Sequence, residues 1–295
     1  MMKRTAQNRF KALTSACVLS MMATVAWSQS LTWLGTLPYG RWSWAYGVSA
    51  DGAVVVGVSN YLGGYGSAFR WTASGGMQDL GTLPGYDRSE AWGVSADGSV
   101  VVGRALNAAG RSRAFRWTAS GGMQDLGTLG GYESAAYGVS ADGSVVVGSA
   151  RNAASFDRAF RWTALGGMQD LGTLGGCCSK ANGVSADGSV VVGGAPNVAG
   201  FYRAFRWTAS GGMENLNTTY ASLLTYGSTL IEAYAISPDG RYIVGRGLNA
   251  DTGRDEAFLL DTRPRCTLDG DVNGDGIVDD ADLLIVLFNF GNRCP

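Results

Sequence analysis

Gly47-Val-Ser-Ala-Asp-Gly52 decides how the chain is read, because it returns almost unchanged at Gly93, Gly138 and Gly183, and once more as Ala235-Ile-Ser-Pro-Asp-Gly240. The steps are 46, 45, 45 and 52 residues. Self-similarity at that period means one small unit stacked several times. The unit reads A-x-G-V-S-A-D-G, then V-V-V-G, then A-F-R-W-T, then G-G-M-Q-D-L-G-T-L. Four short strands, A to D, fit this pattern. Asp-Gly supplies the positive φ of a tight A–B turn, and Ser74-Gly75-Gly76 and its copies do the same between C and D. Val54-Val55-Val56 is a β-branched run that suits a fully buried strand.

Four strands in roughly 40–45 residues is the size of a propeller blade, and five units fall within the roughly 4–8 blades that close a ring. The expected fold is all-β: a five-bladed β-propeller over residues 29–261, followed by a small EF-hand-like α module at 262–295. The fifth unit stops at strand C, Ala257-Phe258-Leu259-Leu260, while a lone strand-D sequence, Leu31-Thr32-Trp33-Leu34-Gly35-Thr36-Leu37, precedes the first. The N-terminal strand is therefore expected to close the last blade, leaving no open edge. Arg70 and Asp79, Arg116 and Asp125, and Arg161 and Asp170 flank the C–D turns and are expected to pair across them. In the fifth unit Leu259 and Trp33 hold those two positions, as a closure strand would require.

Glycine is abundant at 45 and proline scarce at 6, and the glycines fall at fixed places in the repeat, which is turn chemistry. There is no histidine, which removes Ser-His-Asp and Cys-His catalysis and the usual zinc sites. Residues 1–28 read as an export signal. Lys3, Arg4, Arg9 and Lys11 are basic, Ala12 to Ala26 is mostly apolar, and Ala26 and Ser28 are small residues before a cleavage point at Gln29. Losing that leader removes four of the 23 basic residues and none of the 24 acidic ones, so the mature net charge is −5. An acidic chain whose single mature lysine is Lys180 does not suit nucleic acid, and the mature chain holds no apolar stretch long enough for a membrane span. Export permits disulfides. Cys266 and Cys294 bracket the C-terminal segment and are expected to pair. The adjacent Cys177 and Cys178 leave three readings open: a vicinal disulfide, two thiols, or bridges to another chain.

Through V-S-A-D-G-S-V-V-V-G, A-F-R-W-T and L-G-T-L, residues 31–261 resemble the HAF-type repeats of bacterial extracellular proteins. That resemblance implies a secreted, propeller-like protein and transfers no biochemical activity to particular residues.

In a four-stranded blade the A–B and C–D turns share one rim, and the B–C and D–A loops share the other. The first set is nearly invariant here and reads as scaffold. The second set varies, which marks the binding side. It includes the stretches from Tyr39 to Tyr46, Tyr86 to Trp92, Tyr132 to Tyr137, Cys177 to Asn182 and Asn217 to Tyr234, with Tyr61, Tyr65, Phe156, Phe201 and Tyr202 on the B–C side. Trp42, Trp44, Tyr86 and Tyr132 are the candidate ligand-binding rings, suited to stacking on sugars or anchoring a protein partner. The expected role is a secreted, non-enzymatic protein that binds a protein or polysaccharide. No catalytic residue is assigned. The alternative is a carbohydrate-active hydrolase, which would need two or more carboxylates together. Its candidates are the acids that occur once rather than in every repeat: Asp87, Glu90, Glu133, Asp157 and Glu232.

Asp271-Val-Asn273-Gly-Asp275-Gly276-Ile277-Val-Asp279-Asp-Ala-Asp282 has oxygen ligands at positions 1, 3, 5, 9 and 12 of a loop, with the Ile277 carbonyl at 7 and Gly276 for the sharp turn. That set suits calcium. Residues 269–291 resemble a dockerin type I repeat through this loop. The family carries two such repeats and this chain one. The resemblance implies an attachment module, and the run Leu283 to Phe290 reads as a short apolar helix.

Overall fold

The computed structural model describes residues 29–61 and 66–263 together with Asp280, Leu283 and Leu284. The six candidate calcium ligands, Cys266, Cys294, Tyr65 and the export signal lie outside the described residues. Residues 29–36 form no strand. From Leu34 onward the chain is one compact unit.

Five antiparallel sheets follow one another in chain order. The first holds β1 (Ser43–Val48), β2 (Val54–Asn60), β3 (Gly66–Thr72) and β4 (Gly76–Asp79). The second holds β5 (Arg88–Val94), β6 (Val100–Leu106), β7 (Ser112–Thr118) and β8 (Gly122–Asp125). The third holds β9 (Gly130–Val139), β10 (Val145–Asn152), β11 (Asp157–Thr163) and β12 (Gly167–Asp170). The fourth holds β13 (Lys180–Val184), β14 (Val190–Pro196), β15 (Tyr202–Thr208) and β16 (Gly212–Asn215). The fifth has only β17 (Thr229–Ile236), β18 (Tyr242–Asn249) and β19 (Arg254–Asp261). A short helical turn, α1 (Leu216–Thr219), capped by the Asn215 side chain, leads into it. The first strands of successive sheets touch one another, so they line the inner side of the array, and the fourth strands lie outside.

The A–B turns explain the invariant Ser-x-Asp-Gly. Ser95 Oγ donates to Asp97 Oδ1 at 2.6 Å and accepts the Val100 N–H, while Asp97 also accepts from the Ser99 N–H and hydroxyl. Gly98 takes φ +72, a left-handed value that glycine adopts without strain. The Ser95 hydroxyl, then the Ser99 N–H and hydroxyl, hold the Asp97 carboxyl down at about 2, and Ser185 and Ser189 hold Asp187 at about 2 in the same way. Asp51, Asp142 and Asp239 are lowered too. These depressed groups stabilise the fold fully above the ordinary carboxylate range near 3.9, and that share is lost as pH falls through it toward about 2. The melting temperature, followed by calorimetry in acid, is therefore expected to fall progressively between about pH 4 and pH 2. Replacing Asp97 and Asp187 together by Asn should lower stability at neutral pH and flatten that acid limb; an unaltered limb would refute the assignment.

Three kinds of contact join successive sheets, with the serine staple at the first three junctions and Asn217, bonded to both backbone groups of Leu230, at the fourth. Backbone N–H groups form a ladder across the array: Ala50 to the Ala96 carbonyl at 3.0 Å, Ala96 to Ala141, Ala141 to Ala186, and Ala186 to Pro238. A buried serine staples the strands: Ser89 Oγ accepts the Ala68 N–H at 2.8 Å and donates to the Gly81 carbonyl at 2.6 Å, as Ser134 and Ser179 do for Ala114 and Gly127, and for Ala159 and Gly172. Apolar clusters fill the junctions, such as Phe115 and Trp117 against Val54, Val56, Leu80 and Leu83.

Two expectations are corrected here. The fifth sheet has no fourth strand among the described residues, so the N-terminal strand does not close it. Each strand D is delivered to its own strand C by a Gly-Gly turn. Residues 31–37 have no such turn to β19, and joining them would close a loop of more than two hundred residues. The repeated arginines also do not pair with the repeated aspartates. Register sets Phe69 opposite Asp79 and Arg70 opposite Gln78, which puts Arg70 and Asp79 on opposite faces. Arg70 Nε donates instead to the Gly98 carbonyl of the next sheet at 3.1 Å, and Arg116 and Arg161 reach Gly143 and Gly188 in the same way. Arg206 pairs with Glu214 at 2.7 Å. In the last sheet Leu259 stands where no following turn exists among the described residues to receive an arginine.

Candidate functional site

Much of the stretch expected to be D–A loop is strand A. One position of A-x-G-V changes from sheet to sheet while its neighbours stay fixed: Tyr46, Trp92, Tyr137, Asn182 and Tyr234. Two residues earlier, Trp44, Glu90, Ala135, Lys180 and Glu232 form a second varying level. In all five sheets the strand bulges between these levels and the following Gly or Ala. Both levels lie on inner strands and make one continuous wall.

The wall is tied together across sheets. Trp92 and Tyr137 stack at 5.4 Å between centroids with 18° between planes. Arg104 lies 4.8 Å over Trp92, and Lys180 Nζ lies 4.4 Å over Tyr137. Asn182 Nδ2 donates to Glu232 Oε1 at 3.2 Å and to the Ala233 carbonyl at 2.9 Å. Burial first, and then the charge of Glu90, raises the Tyr46 phenol above its ordinary value. A cleft of about 450 Å³ opens on this wall, lined by Tyr137, Lys180, Tyr202, Glu232 and Arg246 with Asp157. Cys178 also borders it, joined to Cys177 in a vicinal disulfide, which selects one of the three readings left open for that pair.

Four of the five singular acids are held by arginines. Glu90 meets Arg104 at 3.1 Å, its register partner. Glu133 and Asp157 share Arg151 at 3.3 and 3.4 Å, and Glu232 meets Arg246 at 3.7 Å. Asp87 is exposed. The candidate rings divide. Trp42 and Trp44 stack on each other at 4.6 Å, with Trp44 exposed. Tyr132 lies between the guanidinium groups of Arg111 and Arg151, at 4.8 and 5.0 Å, and its hydroxyl meets Arg151 Nη1 at 2.5 Å. Tyr86 packs on the core between the first two sheets, so it serves the scaffold. The B–C loops vary less than their sequences suggest: the side chains of Asn107, Asn152 and Asn197 each accept backbone N–H groups two and four residues on. Phe156, Phe201 and Tyr202 are exposed around them.

A larger cleft, about 610 Å³, lies on the opposite rim and is lined by Arg116, Asp142, Arg161 and Asp187. Those residues recur in several sheets and serve the junctions, so the inner wall is the candidate site. Among the described residues no helix is long and apolar enough to cross a membrane.

No family model matches the chain, and no curated protein matches it. Solved structures do. TolB from Acinetobacter baumannii aligns with a TM-score of 0.52 at 15% identity, over 75% of this chain and 52% of that one, so this chain spans about half the length of that structure. A putative TolB from Agrobacterium tumefaciens gives 0.48 at 16% identity, over 75% and 82%. The β-propeller domain of the Trilobed protease from Pyrococcus furiosus gives 0.49 at 10%, over 76% and 71%. At these identities the likeness carries the fold alone, and the repeated sheets of this chain are those of a β-propeller.

Proposed function

We propose that this chain is an exported, non-enzymatic binding protein that holds an extracellular polysaccharide along its inner-strand wall. One observation carries the reading: on that wall the acids are neutralised by arginine, and the rings remain partly exposed. Glycoside hydrolysis needs a carboxylic acid and a second carboxylate free to act on one bond. Glu90, Glu133, Asp157 and Glu232 are instead engaged with Arg104, Arg151 and Arg246. Stacked rings flanked by hydrogen-bonding groups suit flat, hydroxyl-rich ligands. A glycan panel probed with the mature protein tests this. Saturable binding to a polysaccharide with no release of reducing ends supports the reading. Release of reducing ends would establish the hydrolase instead, and an empty panel would remove the ligand class.

The proposal includes calcium, held by Asp271, Asn273, Asp275, Ile277, Asp279 and Asp282, as the stabiliser of a C-terminal attachment module. Extracellular loops of this kind need only weak affinity, with Kd about 0.1–1 mM. Titration calorimetry on the mature chain is expected to show saturable calcium binding in that range, abolished by Asp275→Ala. Unchanged heats in that variant would remove the site.

A further inference from the structure

Among the described residues, the array of repeats opens with the second half of a junction and stops with the first half. Each internal junction needs a strand C with its edge on one side. On the other side the first three junctions have a Leu-x-x-Leu segment followed by the next strand A, and the fourth has the helical turn Leu216–Thr219 in its place. Ala68, Ala114 and Ala159 in strand C give their carbonyls to Leu80, Leu126 and Leu171, and their N–H groups to Ser89, Ser134 and Ser179. Ala257 holds that place in β19 and has neither partner among the described residues. Leu34 and Ser43 hold the matching places at the other end. Ser43 Oγ already donates to the Gly35 carbonyl at 2.7 Å, which is the internal half of the staple. Leu37 is buried against Ser59, as the second leucine of the motif requires.

The apolar faces tell the same story. Val56, Val102, Val147 and Val192 are fully buried because the next sheet covers them, whereas the equivalent Val244 is 41% exposed and its register partner Leu259 68%. At the other end Val48 is 60% exposed, where its counterparts are half-buried against a preceding sheet. Gly98, Gly143 and Gly188 sit against a valine of the preceding sheet, and Gly52 meets nothing within 4 Å. Thus the two ends carry complementary halves of a surface that already packs on itself four times in this chain.

We propose that a second copy supplies the missing half. The first sheet of one chain docks on the fifth sheet of another, with Leu34 of the docking chain at the edge of β19. The interface is head-to-tail, since two different patches meet. Its occupant is argued from continuity with the first three internal junctions: no unrelated partner is needed to explain the matching leucine, serine and alanine positions. The contact differs from the internal ones in two respects. Pro238 has no N–H to continue the alanine ladder, and Leu259 stands where the first three junctions have the arginine clamp, so apolar burial dominates it.

This inference is independent of the ligand reading. The experiment is sedimentation velocity on the mature chain over a wide concentration range, with crosslinking. Species heavier than one chain are expected to grow with concentration. Val244→Glu with Leu259→Glu, both on the exposed face, should weaken association at least about tenfold with an unchanged circular dichroism spectrum. Pro238→Ala, which restores the repeat's own residue, should tighten it. A mixture of Ala50→Cys chains and Pro238→Cys chains should give a disulfide-linked pair that neither forms alone. A monomer at every concentration overturns the proposal. So does an internal crosslink in a single chain carrying both cysteines, which would show that the ends meet within one molecule.

Discussion

Replacing Gly148 by alanine is expected to destabilise the fold severely. A Cβ at this position would stand 2.0 Å from the Ala135 carbonyl oxygen and 2.9 Å from the Phe160 ring. The clash follows from the bulge in β9. Register slips between Val147 and Gly148, which tips the Ala135 carbonyl toward the glycine. The same crowding recurs at Gly57, Gly103, Gly193 and Gly245, with gaps of 1.9 to 2.0 Å to a backbone oxygen. Neither neighbour can give way. Ala135 is in a strand packed between two others, and Phe160 is fully buried. Overpacking of this kind costs upward of about 3 kcal/mol, against a total of about 5–15 kcal/mol for a domain. Gly167→Ala is the control. Its φ is +63 with no atom within 4 Å, so only the left-handed backbone is penalised, by about 1–2 kcal/mol. Soluble yield and urea midpoints of the two variants separate the effects. Similar midpoints would show that the fourth residue of V-V-V-G is a matter of strand propensity rather than of space.

The architecture was legible because each rule that produces it acts within a few residues. Ser-x-Asp-Gly closes its own turn, Val-Val-Val buries its own strand, and the period repeats both. What lay between units was not legible. Arg70 and Asp79 are close in sequence and opposite in charge, so the sequence favours a pair across the hairpin. The strand register, fixed by the Gly-Gly turn, puts them on opposite faces and sends Arg70 to Gly98. The serine staple was hidden because Ser89 and Ala68 lie 21 residues apart. The candidate wall had a readable signal: the single varying residue inside A-x-G-V. It is obscured because these positions lie where loop gives way to strand, and the bulge that turns Trp92 and Tyr137 to the same wall has no sequence mark beyond the glycine opposite it. Of the rings named from sequence, Trp44 and Tyr132 keep exposed surface, while Tyr86 belongs to the core.

Trp92→Ala is expected to abolish most polysaccharide binding while leaving the fold intact. Trp92 stands at the centre of the wall, stacked on Tyr137 and covered by Arg104, which Glu90 holds in place. It is half-buried, so its loss opens no sealed core cavity. Central, partly desolvated aromatic residues are where binding energy concentrates, commonly about 2 kcal/mol or more on truncation, roughly thirtyfold in Kd. Two further variants separate stacking from charge. Trp92→Phe keeps a ring and should recover a substantial part of the affinity. Glu90→Gln removes the charge that anchors Arg104 and should weaken binding less than Trp92→Ala, because the ring stays stacked on Tyr137. Tyr86→Ala supplies the opposite pattern, with stability lowered through the core and affinity unchanged in the fraction that folds. If Trp92→Ala binds as the parent does and Trp44→Ala does not, recognition belongs to the rim around Trp42 and Trp44. The inner strands would then be structural alone.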